Sequence, residues 1–484
     1  MRSRPAPRDT YKLITLPMYW ANFLHLYQPP TQKPHWIKRV TAESYRKIFH
    51  ELKTAPEAKL TVNINGVLVE HWDECGEDEV IEDVRTLLAR GQLELTGSAK
   101  YHPLLPFLPK EEMVRQIELN NETHKKYFGE LYRPRGFFPP EMAFSLEVAR
   151  TVQELGFEWI IADELSFPRG RTLDYTHLYT IEGLENFNIY FRERRMSWVI
   201  LSGQVGTGNL LIESLGERLK RNEYLLTAMD GETFGHHRPG LEQLLFEIYR
   251  SPKLTTVFIS DLPKYFSHRT TVSPQPSTWA LMEKDLERKV PFARWDDKDN
   301  SIHTLQWKLT RLAIKTVNNA AHNDPGYPAA RDTLDKALHS DQYWWASAKP
   351  WWSIEMIERG AKELYNAILK TPKVTDKTKE NAKHLYHTII FTAFDWQRSG
   401  LVDELSHNED EDIRQRTDAQ IPQLPRKEIE KMVKKLESEM HAVAARQEFE
   451  RAAQIRDRIA ELNRYAADIA APKPSAEGDK EWEG

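Results

Sequence analysis

The sequence has one cysteine, no long apolar run and no excess of basic residues, and each absence argues against a class of protein. Cys75 is the single cysteine in 484 residues, which excludes an intramolecular disulfide and a zinc site built from several cysteines. No apolar run reaches the roughly 18 residues that a membrane-spanning helix needs. With 67 basic against 72 acidic residues, the charge balance argues against a general nucleic-acid binder.

The amino-terminal segment has basic residues ahead of an apolar stretch, as secretory signal peptides do. Pro17, Asn22 and His25 interrupt that stretch, however, and no cleavage site of small residues follows it. We therefore expect a cytoplasmic protein.

Strand-like and helix-like segments alternate from about residue 11 to residue 261. Strands are expected at 16–25, 59–65, 93–96, 136–139, 159–163, 224–229 and 255–260, and helices at about 77–90 and 145–155. This alternation predicts a parallel sheet with crossover helices. Polar residues follow the strands, which is where α/β barrels have their active sites.

The pattern changes near residue 262, and helical patterns without strand-like alternation run from about 300 to 398. An acidic run at 408–412 and the prolines Pro422 and Pro425 indicate a linker. We expect a catalytic region at 11–265, a helical domain that completes the active site at 266–405 and a linker at 406–425.

Residues 426–464 carry two apolar stripes at helical spacing and predict a helical hairpin that turns near residues 446–447. The stripes are Ile429, Met432, Leu436, Met440 and Val443, then Phe449, Ala452, Ile455, Ile459 and Leu462. This narrow apolar face is too small for a core of its own, so we expect it to bind a partner. Residues 465–484 are expected to form a disordered tail.

Two acidic residues, Glu141 and Asp230, come directly after predicted strands. Pro139 and Pro140 stiffen the turn before Glu141, and two glycines follow Asp230 in a tight loop. Two carboxyl groups in different environments can divide nucleophilic attack and proton transfer between them in sugar chemistry. For either residue alone, helix capping or a salt bridge is the alternative role.

Five short motifs occur in order, at residues 25–29 (HLYQP), 91–95 (GQLEL), 138–143 (FPPEMA), 230–236 (DGETFGH) and 340–345 (SDQYWW). Together they resemble the motifs of glycoside hydrolase family 57, over about residues 11–400. The resemblance implies an α/β fold: an incomplete seven-stranded (β/α) barrel, a following α-helical domain and retaining chemistry on α-glucans. It also implies that Glu141 is the nucleophile and that Asp230 is the acid/base residue. Retention predicts a carboxyl separation of about 5–5.5 Å.

Further residues of these motifs are expected to bind substrate. His25, Gln28 and His236 can contact sugar hydroxyls or flank the acid/base residue, and Glu94 can orient a hydroxyl or His25. Trp344 and Trp345, beside Asp341, offer the flat apolar surfaces on which sugar rings stack, with core packing as the alternative. Neither a cofactor nor a metal is expected, because His25, His102, His236 and His237 lack metal-ligand spacing.

The hairpin at 426–464 resembles the UVR motif, which joins subunits B and C of the bacterial excision-repair nuclease. The resemblance implies docking to a protein or self-association. Acidic and basic residues are mixed along the hairpin, so nucleic acid is not the expected partner. Taken together, the sequence indicates a retaining enzyme of the α-amylase, 4-α-glucanotransferase or branching type. A glucan-binding scaffold and a metal-dependent polysaccharide deacetylase are the alternatives.

Overall fold

The computed structural model describes residues 18–203, 205–418, 426–447 and 449–470. In this part of the chain, all strands lie between residues 19 and 272. The strands are β1 Tyr19–Leu26, β2 Leu60–Ile64, β3 Leu93–Leu95, β4 Gly136–Phe137, β5 Trp159–Asp163, β6 Leu178–Ile181, β7 Asn188–Arg192, β8 Tyr224–Asp230, β9 Thr255–Thr256 and β10 Arg269–Val272.

The α-helices lie between the strands and fill the chain after them. They are α1 Pro34–Val40, α2 Arg46–Thr54, α3 Gly66–Cys75, α4 Asp78–Ala89, α5 Lys110–Phe128, α6 Leu146–Glu154, α7 Arg194–Leu201, α8 Gly208–Leu215, α9 Glu242–Tyr249, α10 Leu262–Tyr265, α11 Glu283–Glu287, α12 Ser301–Asn318, α13 Tyr327–Ala337, α14 Asp341–Trp344, α15 Ile354–Lys370, α16 Asp376–Ser399, α17 Leu401–Asp418, α18 Arg426–Ala445 and α19 Phe449–Ala470. No helix in the described ranges is long and apolar enough to cross a membrane.

The strands form two sheets that are parallel except where β6 meets β7. One sheet has the order β3-β2-β1-β8, with β9 also paired to β1, and the other has the order β10-β6-β7-β5-β4. A parallel bridge between Gly97 and Phe137 links the two. The register of β1 places His25 beside Asp230 of β8 and Asn63 of β2, so polar side chains meet at the carboxyl ends of these strands.

All seven predicted strands are present, β5 with the predicted ends and the others with trimmed or shifted ends, and both predicted helices are confirmed as α4 and α6. Strands β6, β7 and β10 were not predicted, and the strands extend to Val272, past the expected boundary at residue 265. Strand β7 was not predicted because it contains a charged residue, Arg192. Arg192 is buried there against the equally buried Asp163, with an N–O distance of 2.8 Å.

The helical domain predicted at 266–405 packs its helices α12, α13, α15 and α16 around one apolar core that also includes residues of α5 and α6. Two ion pairs join α5 to α13: Arg331 with Glu112 at 2.7 Å, and Arg115 with Asp335 at 2.6 Å. A bridge between Pro103 and His339 brings the start of α14 against the loop after β3. The helical domain thereby supplies side chains to the ends of the strands.

The prediction of a linker across residues 406–418 is wrong, because α17 runs through the acidic segment. Glu409 explains this: its carboxylate is 3% exposed, receives the guanidinium of Arg294 and lies 2.7 Å from the ammonium of Lys284. Ion pairs of Glu409 thus hold this part of α17 against the body of the protein. The remainder of the expected linker, 419–425, lies outside the described residues.

The hairpin is formed by α18 and α19, with the turn at Arg446 and Gln447 as predicted. Most of its apolar stripe is buried against the strand-containing region of the same chain, whereas Phe449 is 69% exposed. Helix α19 continues to Ala470, beyond the predicted end at 464. The remainder of the expected tail, residues 471–484, lies outside the described residues.

We predict that Arg294→Ala lowers the free energy of unfolding by about 3–5 kcal/mol, because it removes a buried partner that two buried carboxylates share, those of Asp285 and Glu409. Urea denaturation followed by circular dichroism measures the loss. Arg133→Ala is the control, since its side chain is 78% exposed and its ion pair contributes little. A loss below about 1 kcal/mol for Arg294→Ala would contradict the proposed anchoring of α17.

Candidate active site

Glu141 lies in a tight turn directly after β4. The turn, Pro140–Met142, is a short 3-10 segment in which Glu141 has φ +60°, in the left-handed region. A non-glycine residue rarely adopts this conformation, so the surrounding structure must hold it. Its backbone is fixed by the preceding prolines and by the amide of Trp279, which donates to the Glu141 carbonyl at 3.2 Å.

Both carboxylate oxygens of Glu141 face hydrogen-bond donors. The indole Nε1 of Trp279 donates to Oε2 at 2.9 Å, and the hydroxyl of Ser340 lies 3.3 Å from Oε1. His102 lies 3.7 Å from the same Oε1. Trp279 follows the last strand and Ser340 precedes α14, so the orientation of Glu141 depends on residues far along the chain.

Asp230 ends β8, and a second acidic residue, Glu232, follows it. Burial raises the pKa of Asp230 to about 6, against the opposing charge of Arg192. Burial and the charge of Asp230 raise the pKa of Glu232 to about 8. Glu232 accepts hydrogen bonds from the hydroxyl of Tyr45 and, at 3.1 Å, from Gln28.

The pKa of Glu141 is raised to about 8, first by burial and then by the charges of Asp230 and Asp341. With these values, Asp230 is mostly ionised and Glu141 mostly protonated near neutral pH. The donors Trp279 and Ser340 favour the ionised form of Glu141, and the charge of Arg192 favours the ionised form of Asp230. A carboxylate and a carboxylic acid in one site are the pair that sugar transfer requires.

A row of neutral aromatic side chains lies beside Glu141. His25 contacts Asn63 at 2.7 Å and His102 at 3.0 Å, through its two ring nitrogens. Burial lowers the pKa of both histidines, that of His102 to about 4. The ring of Tyr27 stacks on His102 with centroids 4.0 Å apart, so the row is tightly packed.

Asp341 lies at the end of this row and remains ionised. It accepts hydrogen bonds from Tyr27 at 2.7 Å and from His339 at 3.0 Å, and these contacts lower its pKa although burial opposes them. His339 also contacts Glu363 at 3.1 Å. The two carboxylates raise the pKa of His339 to about 10 against the effect of burial, so a buried imidazolium fixes Asp341.

Of the other predicted residues, Gln28 donates a hydrogen bond to Glu232. His236, on the loop after β8, lies 2.6 Å from Glu43. Glu94 is not brought to the carboxyl pair. Its carboxylate accepts a hydrogen bond from Thr61 at 2.9 Å, two residues before Asn63 on β2, and faces the amide of Ser260 at 3.4 Å. His25 is oriented by Asn63 and His102, and the expected orientation by Glu94 is wrong.

The tryptophans near the fifth motif differ in how far their side chains are exposed. Trp344 packs on Trp295 at a centroid distance of 5.1 Å, in a small core of the helical region. Trp345 is partly buried and meets Trp351 edge to face at 5.9 Å. Trp351 is 45% exposed and is the better placed of the three to meet a ligand from solvent.

Sequence reasoning did not assign Trp279, Glu232 or His339. Trp279 lies outside the five motifs and past the expected end of the catalytic region at residue 265. Glu232 is a second acidic residue inside the fourth motif, which could have been noticed. His339 had no signal, because its role depends on Glu363 from a neighbouring helix. In the described part of the chain, no group of three or more His, Cys, Asp or Glu residues is arranged to hold a metal ion.

A comparison with protein families decides the wider identity of this site. The family model described as glycosyl hydrolase family 57 matches residues 7–275, more than half of the chain. The chain belongs to this family. A second model, the UvrB/uvrC motif, matches residues 430–465, in the hairpin.

Relatives within glycosyl hydrolase family 57 share part of the chain. An α-amylase of Pyrococcus horikoshii is 30% identical over 227 residues, 46% of this chain and 35% of the relative. A 4-α-glucanotransferase of Thermococcus litoralis is 26% identical over 356 residues, 66% of this chain and 53% of the relative. The chain thus spans about a third to a half of these relatives. The structure of the branching enzyme of P. horikoshii has a TM-score of 0.58 at 15% identity, over 78% of this chain and 96% of that one, and shares the fold.

We predict that Glu141→Gln raises the melting temperature, and more so at higher pH. The pKa of Glu141 is about 8 in the folded protein and near 4.5 when unfolded, so its stabilising contribution is complete below pH 4.5 and is lost as the pH rises to 8. The amide has no such loss. Calorimetry between pH 5 and about 8.5 measures the widening difference.

Glu57→Gln is the matched control, because Glu57 is exposed. A difference between wild type and Glu141→Gln that does not change with pH would show that the Glu141 carboxyl does not titrate as assigned.

Proposed function

We propose that this chain is a retaining enzyme that acts on α-glucans through a glycosyl-enzyme intermediate. One observation carries the proposal: Glu141 and Asp230 lie partly buried at the ends of strands, and each carries a raised pKa. The family match and the names of the relatives, α-amylase and 4-α-glucanotransferase, support the reaction class and the substrate.

In the first step, a carboxylate oxygen of Glu141 attacks the anomeric carbon. The bond from that carbon to the leaving oxygen breaks, and Asp230 gives its proton to this oxygen. In the second step, Asp230 takes a proton from the attacking group, whose oxygen displaces Glu141 from the anomeric carbon. Water as attacking group gives hydrolysis, and a sugar hydroxyl gives transfer.

The pKa order in the free protein is opposite to this assignment, since Glu141 has the higher value. The transition state reverses the order, because positive charge develops at the anomeric carbon beside Glu141 as the glycosidic bond breaks and favours the ionised form of Glu141. The hydrogen bonds from Trp279 and Ser340 act in the same direction. The proton then resides on Asp230, where the leaving oxygen needs it.

We assign substrate contacts to His25, Gln28, His236 and Asp341, and a stacking platform to Trp344, Trp345 and the more exposed Trp351. Asp341 is the best supported, because the protonated His339 and Tyr27 hold it ionised beside Glu141. Its charge and fixed position suit it to accept hydrogen bonds from sugar hydroxyls.

The finer architecture follows from the pairings. We propose an incomplete barrel of seven strands in the order β8, β1, β2, β3, β4, β5 and β7. The bridge between Gly97 and Phe137 supports its closure between β3 and β4. A hydrogen bond of 2.7 Å from the amide of Glu193, just after β7, to Leu226 of β8 supports closure on the other side. A protein partner for the hairpin and a cytoplasmic location stay predictions.

We predict that Glu141→Gln and Asp230→Asn each lower the turnover of maltoheptaose and amylose by at least about 1,000-fold, because each removes a group of the covalent pathway. Chromatography of the products measures the loss, and Glu57→Gln should retain wild-type turnover. Products longer than the substrate indicate transfer, short products alone indicate hydrolysis, and new α-1,6 linkages indicate branching. Wild-type-like turnover in Glu141→Gln would remove the assignment.

We predict a bell-shaped pH profile for kcat/KM, with limbs near pH 6 and pH 8. Activity rises as the first of the paired carboxyls ionises and falls as the second loses its proton. Initial rates on maltoheptaose between pH 4 and about 10 measure it. A profile without the upper limb would mean that no protonated carboxyl is needed.

A further inference from the structure

The hairpin lies on two segments that also form the active site. One is the brace segment, defined as residues 41–47, and the other is the acid/base loop, defined as residues 230–242. Glu439 of α18 lies 3.1 Å from the ammonium of Lys47, in the brace segment. Glu461 of α19 lies 3.8 Å from the guanidinium of Arg238, in the acid/base loop. The hairpin therefore contacts both segments.

The brace segment holds the acid/base loop along its length. Ser44 donates to the carbonyl of Gly231 at 2.8 Å, and the hydroxyl of Tyr45 donates to Glu232. Glu43 lies 2.6 Å from His236, and Lys47 lies 2.7 Å from Glu242 at the end of the loop. Lys47 therefore contacts the hairpin and the loop with one ammonium group.

Glycines on the body make room for apolar side chains of the hairpin. A Cβ on Gly240 would lie 2.6 Å from Cδ2 of Leu436, and one on Gly206 would lie 2.1 Å from Cε of Met432. Gly240 belongs to the acid/base loop, so Leu436 fills the space directly above it. Arg458 adds a hydrogen bond of 3.3 Å to the carbonyl of Gly203. This fit is specific, with a matched space for each of two apolar side chains.

From these contacts we propose that the hairpin is a positioning clamp for the acid/base loop. In the docked hairpin, Leu436 packs on Gly240 and Glu439 forms an ion pair with Lys47. Lys47 in turn forms an ion pair with Glu242 at the end of the loop. The loop begins at Asp230, so the clamp keeps the proton donor aligned with the leaving oxygen. Release of the hairpin loosens the loop and slows proton transfer while the substrate-binding residues of the helical domain remain in place. This role rests on the function proposed above.

The full chain with Leu436→Glu tests the clamp, because Leu436 is 3% exposed and a charge there cannot stay docked. We expect faster hydrogen exchange at 230–242 and kcat on maltoheptaose lower by about tenfold or more, because displacing a catalytic group by about 1 Å can cost about 100-fold. Leu436→Met should restore both. Phe449→Glu is the matched control, since it adds a charge to the hairpin at an exposed site.

If Leu436→Glu does not unfold cooperatively, Gly206→Val takes its place and displaces Met432 from the body side. Unchanged exchange at 230–242 in a variant whose hairpin exchanges faster overturns the clamp, as does a uniform rise across the chain. A wild-type protein without activity on any glucan would overturn the proposed function. The clamp would still be judged by exchange, which needs no turnover.

Discussion

The site depends on the cost of holding two carboxyl groups, Glu141 and Asp230, out of water in one place. Burial raises both pKa values, and the charge of Asp230 raises that of Glu141 further, so the pair carries about one negative charge near neutral pH. This constraint creates an acid next to a base. The same burial that makes the pair chemically useful also makes it a source of instability, and fixed donors such as Trp279 and Ser340 are needed to hold the charge.

The parts that satisfy this constraint come from the whole chain. The strands bring Asp230 beside His25, and the tight turn after β4 presents Glu141. The helical domain contributes Ser340 and Asp341, the latter locked by a buried imidazolium. The hairpin approaches from a third direction, against the segments that carry Glu232 and His236. No one of these regions alone would form a working site. The ion pairs between α5 and α13 matter because they hold the helical domain against the strand-containing region.

Residues whose role is local could be predicted from the sequence. The strand ends at Glu141 and Asp230, the helix from 78 to 89 and the turn at 446–447 all follow from periodicity and from glycine or proline. The structure differs where a tertiary partner changes a residue's meaning. Arg192 is a charged residue inside β7 that is buried because it pairs with Asp163. Glu409 belongs to an acidic run but forms a buried ion pair with Arg294. The carboxylate of Glu94 accepts a hydrogen bond from Thr61 and does not contact the carboxyl pair. The sequence does not show what covers the apolar face of the hairpin, whereas in the structure this face packs on Gly206 and Gly240 of the same chain.

The most direct test of the central claim is to trap the covalent intermediate. An α-glucosyl fluoride that carries a second fluorine on the sugar ring forms the glycosyl-enzyme and slows its breakdown. After incubation, mass spectrometry of the intact protein and then of its peptides locates the added sugar. A single glycosyl group on Glu141 is the predicted result. A sugar attached to another residue, or a product whose anomeric configuration is inverted, would contradict the account.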